Sequence, residues 1–190
     1  MPQRADARRN YERILAAASE AVAEKGAEAS LDHIAKRAGV GPGTLYRHFP
    51  TRQHLLDAVF HDRIVRLRDE AVRLLAEEPD PRAALGIWLR AFIEHLRVYR
   101  GLSDALKAIY DHGDQLMISS RDLLRWSVGT LLARAREAGV VRTDIDPTDL
   151  LRLGHGAGTV CEPEPSGDER ADRFVRLLMD GLGVGAATNP

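Results

Sequence analysis

Residues 30–52 read SLDHIAKRAGVGPGTLYRHFPTR, two short runs of helical spacing joined by a glycine-rich turn and closed by a proline. Leu31, Ile34, Ala35 and Ala38 recur every three or four positions and give the first run one apolar face. Ser30 stands where an N-cap hydroxyl accepts an otherwise orphan backbone amide, and Asp32 complements the positive end of that first turn. Gly39 closes the run. Pro42 opens the next, at a first helical position where its missing N–H costs nothing, and Pro50 stops it after Phe49. At about 100° per residue, Leu45 and Phe49 fall together on one side, facing a core. Gly43, Thr44, Tyr46 and Arg47 fall on the other side, with His48 at the flank.

Two short helices joined by a tight turn and packed on a preceding helix form a helix-turn-helix, whose second helix enters the DNA major groove. The outward residue types suit that use. An arginine forks onto guanine, a threonine meets a thymine methyl or a phosphate, and tyrosine and histidine donate to phosphate oxygens. Gly43 permits close backbone approach. Thr51 and Arg52 open the following helix, where free amides and the positive dipole end favour a phosphate. The expected DNA contacts are Ser30, Pro42, Gly43, Thr44, Tyr46, Arg47, His48 and Arg52. Arg4, Arg8 and Arg9 offer further contacts, although a basic arm on a helix is more often simply solvated.

Outward from this stretch the spacing stays helical and predicts an all-α chain of about nine helices: a three-helix helix-turn-helix domain followed by a longer helical domain. The first helix, beginning near Asn10, carries Ile14, Leu15, Ala18 and Val22 on one face and ends at Gly26. A long fourth helix runs from the Thr51 cap to Glu78, and the break Pro79-Asp80-Pro81 starts a fifth that ends near Gly101. A short sixth segment reaches Tyr110, and a seventh helix runs from beyond Gly113 to Gly139. Asp146-Pro147 starts the eighth. Residues 162–167 (EPEPSG) read as a loop, the ninth helix covers about 168–182, and a Gly/Ala-rich tail follows. The domains are then 1–52 for the helix-turn-helix, 53–183 for a second helical domain, and 184–190 as a tail.

Composition narrows the function classes. The chain has 190 residues, 44% of them hydrophobic, enough for a real core. Its net charge is −1, so any DNA contact rests on a local patch; residues 1–60 hold nine basic and seven acidic side chains. The single cysteine, Cys161, forms no internal disulfide, and there is neither a secretory leader nor a run of about 18 apolar residues, which together favour the cytoplasm and no membrane partner. The seven histidines show no ligand spacing with a carboxylate, so His95, His112, His155 and Cys161 are expected to be structural or pocket-lining, with no metal or other cofactor. No nucleophile elbow appears, and Gly39–Gly43 lacks the strand and the Lys-Ser/Thr of a phosphate-binding loop, so no catalysis is expected.

The stretch Ile34-Ala35, Ala38-Gly39-Val40-Gly41-Pro42-Gly43-Thr44-Leu45-Tyr46-Arg47-His48-Phe49 and Leu55-Leu56 resembles the DNA-binding domain of the TetR (tetracycline-repressor) family of bacterial regulators. The close likeness covers roughly residues 8–60. Residues 138–150 (AGVVRTDIDPTDL), ahead of a glycine-rich helix, resemble one TetR C-terminal subgroup more weakly. Relatives commonly carry Ser or Thr where Gly41 stands and Lys where Arg52 stands; glycine caps nearly as well, and arginine keeps the phosphate charge. The resemblance implies a homodimer on a palindromic operator, usually a repressor released by a small-molecule effector. It further implies a cavity walled by the fifth to eighth helices, with Trp88, Phe92, His95 and Tyr110 as candidates.

Dimerisation is expected through a four-helix bundle of the last two helices, with Leu150, Leu153, Ala157, Gly158, Phe174, Leu177, Leu178 and Gly181 in or near it. Gly154 and Gly158 would let two helices approach closely there. The competing reading, motivated by the near-zero net charge, is a helical protein–protein interaction module without DNA binding.

Overall fold

The computed structural model describes residues 2–98, 115–160 and 166–183. Among these the chain forms α1 (Pro2–Lys25), α2 (Leu31–Arg37), α3 (Pro42–His48), α4 (Arg52–Glu77), α5 (Pro81–Val98), α6 (Gln115–Glu137), α7 (Pro147–Val160) and α8 (Ser166–Leu182), with a 3-10 turn at Gly26–Glu28 and no strand. The all-helical expectation holds. The segment expected up to Tyr110, the end of the fifth helix near Gly101, and the tail from residue 184 lie outside the described residues.

Two boundaries differ from the expectation. α1 begins at Pro2 and not near Asn10. Its first turns have no apolar face to betray them; they draw instead on good helix formers and on the pairs Arg9–Asp6 and Arg8–Glu12, the latter at 2.9 Å. α8 begins at Ser166, so the last residues of the expected loop are already helical.

The described residues fall into two compact units, and α4 contributes residues 52–63 to the first and 64–77 to the second. In the first unit, Ile14, Ala18 and Val22 of α1, Ile34 and Ala35 of α2, Leu45 and Phe49 at α3, and Leu55, Val59 and Phe60 of α4 are all buried. Arg37 of α2 reaches Glu20 at 3.2 Å and Glu24 at 2.9 Å on α1. Each such exposed pair contributes roughly 0–1 kcal/mol, so the shared apolar interior holds this unit.

The turn between α2 and α3 has the geometry its composition demands. Gly39 sits at φ +63°, its amide donates to the Lys36 carbonyl at 3.1 Å, and the Val40 amide donates to Ala35 at 3.0 Å. That pair of bonds satisfies the last carbonyls of α2, and only a residue tolerant of the left-handed region closes it cheaply. Ser30 Oγ accepts from the His33 amide at 3.4 Å, and Thr51 Oγ1 accepts from the His54 amide at 3.3 Å, as N-caps of α2 and α4.

The second unit is built around Trp88. Its ring is fully buried, stacks on Phe92 with centroids 5.5 Å apart, and donates Nε1–H to the Leu67 carbonyl at 2.9 Å. Arg134 of α6 donates to the carbonyls of Glu78 at 2.7 Å and Pro79 at 3.3 Å, just past the end of α4, and shares the Leu74 carbonyl, at 3.2 Å, with the Glu78 amide. Asp146 caps α7 through the amides of Thr148 and Asp149 at 2.6 and 3.0 Å. Ile93, Ala157 and Ala171 form a buried cluster joined by Phe174, Val175 and Leu178. Arg90 pairs with Asp172 at 2.5 Å and so ties α5 to α8.

α7 comes very close to α5. A Cβ built on Gly154 would lie 2.9 Å from the Phe92 ring, and one on Gly158 would lie 2.6 Å from Leu96 Cβ. Both glycines therefore serve close packing, but within one chain. Leu150 and Gly158 are themselves buried within the chain. Alternating small and large residues identify a tight helix contact without saying which helix makes it.

Candidate nucleic-acid interface

α3 is short, and its orientation depends on what its inner side touches. Leu45 is 1% exposed and Phe49 3%, whereas Tyr46, on the opposite side, is 48% exposed. The Phe49 ring stacks on Tyr11 of α1 with centroids 5.1 Å apart, and the His48 ring meets the edge of Tyr11 at 6.1 Å. Burial, with Asp62 as a second cause, raises the Tyr11 phenol above its ordinary pKa. The helix is thus pinned to the core by one aliphatic and one aromatic anchor.

The free arc carries the residues singled out from the sequence. Pro42, Gly43, Tyr46 and Arg47 are exposed, and Thr44 and His48 are half-buried. Arg47 folds back along its own helix, donating from Nη2 to Thr44 Oγ1 at 3.0 Å and from Nε to the Gly43 carbonyl at 3.3 Å. Those bonds lie at the surface and exchange readily for others.

Ser30 and Arg52 stand apart from this arc in chemistry. Ser30 is exposed, but its hydroxyl already caps α2. Arg52 is also exposed, yet its guanidinium donates to the Ala29 carbonyl at 2.7 Å, a bond spanning 23 residues that no local pattern announces. Of the expected arm, Arg8 and Arg9 are engaged with acidic neighbours on α1. Sequence reasoning passed over Tyr11 and Arg13, both on the α1 side of the turn; Arg13 donates to the Gly39 carbonyl at 3.3 Å.

In the second unit the structure brings Trp88, Phe92 and His95 together on one buried face of α5, while Tyr110 lies outside the described residues. The dimer candidates divide. Leu150, Ala157 and Gly158 are buried, Phe174 and Leu178 are half-buried, and Leu153, Leu177 and Gly181 are exposed. Leu153, Val160 and Leu177 are 47%, 56% and 58% exposed and line an open groove of about 400 Å³ along α7 and α8, with Ala157 behind it. Among the described residues no His, Cys, Asp or Glu group is placed to hold a metal, and no helix is long and apolar enough to cross a membrane.

A recognition helix anchored on one side, wet on the other and preceded by a glycine-closed partner helix defines a helix-turn-helix DNA-binding regulator. Residues 14–59 match the family model for bacterial regulatory proteins of the tetR family, and residues 80–184 match that for the SbtR-like transcriptional regulator C-terminal domain. The chain belongs to the TetR family of transcriptional regulators.

The structure of a TetR transcriptional regulator from Streptomyces coelicolor is 39% identical, covers 93% of this chain and 99% of that one, and superposes with a TM-score of 0.78. A TetR transcription regulatory protein from Mycobacterium vanbaalenii is 38% identical over 96% of this chain and all of its own, with a TM-score of 0.71. The transcriptional regulator EthR of Mycolicibacterium smegmatis is 29% identical over 134 residues, 67% of this chain and 60% of its own length. The curated relatives are thus matched over less than two thirds of their length.

Proposed function

We propose that this chain is a cytoplasmic repressor that binds a palindromic operator as a homodimer and leaves it when a small molecule binds its C-terminal helical part. The observation that carries the reading is the exposed arc of α3 opposite buried Leu45 and Phe49. Tyr46 and Arg47 read the major groove together with Pro42, Gly43, Thr44 and His48, and Ser30 and Arg52 border the contact. Arg47 exchanges its bonds to Thr44 and Gly43 for a base edge or a phosphate oxygen.

The second copy docks on the groove along α7 and α8, where Leu153, Val160 and Leu177 leave apolar surface uncovered. The effector is received near Trp88, Phe92 and His95, buried side chains of α5 whose two apolar rings and one polar ring suit a largely apolar molecule with a single anchor. Release follows if the effector prefers a subunit arrangement in which the two recognition helices no longer match successive grooves.

The test is mutational. Tyr46→Ala and Arg47→Ala should each weaken operator binding by roughly tenfold or more, the cost of a lost bidentate or phosphate contact, while leaving dimer mass and melting temperature nearly unchanged. Titration of a fluorescent operator and a thermal melt on the same samples check this. Undiminished affinity in both variants would remove α3 as the reading element.

A further inference from the structure

The turn between α2 and α3 is held from outside itself. Gly39, at φ +63°, gives its amide to the Lys36 carbonyl, while its own carbonyl accepts from Arg13 Nη2 on α1 at 3.3 Å, across 26 residues of sequence. Beyond it, Gly41 is extended at φ −73° and ψ 154°, and its carbonyl accepts the first amides of α3, from Thr44 at 2.9 Å and Leu45 at 3.2 Å.

The direction in which α3 leaves the turn is therefore set by the torsions of residues 39–41. Two of those three residues are glycines, whose torsions are the softest in the chain. Leu45 and Phe49 fix how deep α3 sits and which side faces inward, but neither fixes the Gly39 peptide plane. That plane is held on both sides: its N–H, the Val40 amide, donates to the Ala35 carbonyl at 3.0 Å, and its oxygen takes the Arg13 guanidinium, which adds a restraint from α1. The same guanidinium occupies the space into which a side chain at residue 39 would project.

We propose that Arg13 is a positioning residue for the recognition helix: by binding the Gly39 carbonyl it selects, among the conformations open to this turn, the one in which α3 meets the groove. Arg13 touches no base in this account. The proposal rests on the operator-binding reading for its functional consequence, whereas its structural half stands independently.

The experiment compares Arg13→Gln and Arg13→Lys with the parent in the full chain. Backbone amide exchange is followed at Gly39, Val40, Thr44 and Leu45, whose amides are bonded at the turn and the start of α3, against Ile34 and Ala35 of α2. Affinity is measured across a salt series for the duplex best selected from a random pool and for an unrelated duplex.

In Arg13→Gln the turn amides should exchange about tenfold faster while the α2 amides do not change, the effect of losing one charge-assisted bond. Affinity for the selected duplex should fall about five- to tenfold, with the unrelated duplex and the salt slope unaffected. Arg13→Lys, which keeps a donor, should recover part of both effects. A salt slope smaller by about one, with equal loss on both duplexes, would make Arg13 a phosphate ligand instead. Faster exchange spread evenly over α1 and α2 with a lowered melting temperature would reduce it to a general structural role, and no change in either readout would leave it merely solvated. If the parent selects no duplex, the operator reading fails, and the exchange comparison still decides whether Arg13 holds the turn.

Discussion

Trp88→Ala is expected to destabilise the second helical unit by about 3–5 kcal/mol, the range for emptying a buried aromatic site that collapses only partly. Trp88 is fully buried, so no surface relaxation fills the space it leaves. The stack on Phe92 at 5.5 Å and the Nε1–H bond to the Leu67 carbonyl at 2.9 Å disappear with it. Trp88→Phe, which keeps the ring face but not the donor, should cost about 1–2 kcal/mol. Urea unfolding followed by far-ultraviolet circular dichroism measures both. Domains are commonly stable by only about 5–15 kcal/mol, so the alanine variant should unfold at much lower urea. A loss below about 1 kcal/mol would mean that this ring is not the centre of the unit.

The second large effect concerns association. Leu177→Asp puts a charge on a side chain that is 58% exposed in the single chain and would be covered in the proposed homodimer. A carboxylate buried there without a partner is expensive, whereas on a lone subunit it is harmless. Sedimentation equilibrium should therefore show the parent at twice the chain mass and the variant at the chain mass, with the same helical content. Operator affinity should drop by about 10²–10⁴, because two linked half-site contacts become two independent ones. A variant that stays dimeric would move the interface away from the α7–α8 groove.

Much of this fold is legible in the sequence because helix ends are local chemistry. Ser30, Gly39, Pro42, Pro50 and the Asp146-Pro147 pair each mark a terminus by a cap, a left-handed turn or a missing amide, and the structure places helix boundaries at all of them. The division of α3 into a buried and a wet side follows equally from spacing alone. Information carried across the fold is what spacing does not hold. The first turns of α1 are polar all round and have no periodic signal. Gly158 announces a close approach but not that its neighbour is Leu96 of the same chain. The bonds from Arg13 to Gly39 and from Arg52 to Ala29 join residues 26 and 23 positions apart, and only packing of α1 and α4 beside the turn makes them. At the candidate interface, residue types and exposure are therefore readable, and the side-chain bonds of Arg13, Arg47 and Arg52 are not.

Whether the outer arc of Pro42–His48 reads base sequence is tested most directly by selection of random duplexes by the full chain. The expected outcome is enrichment of a palindrome whose half-site centres lie about 34–36 Å apart, so that two recognition helices enter successive major grooves. Recovery of sequences without any shared pattern, bound only at low salt and lost as salt rises, would instead show charge attraction without reading and contradict the account.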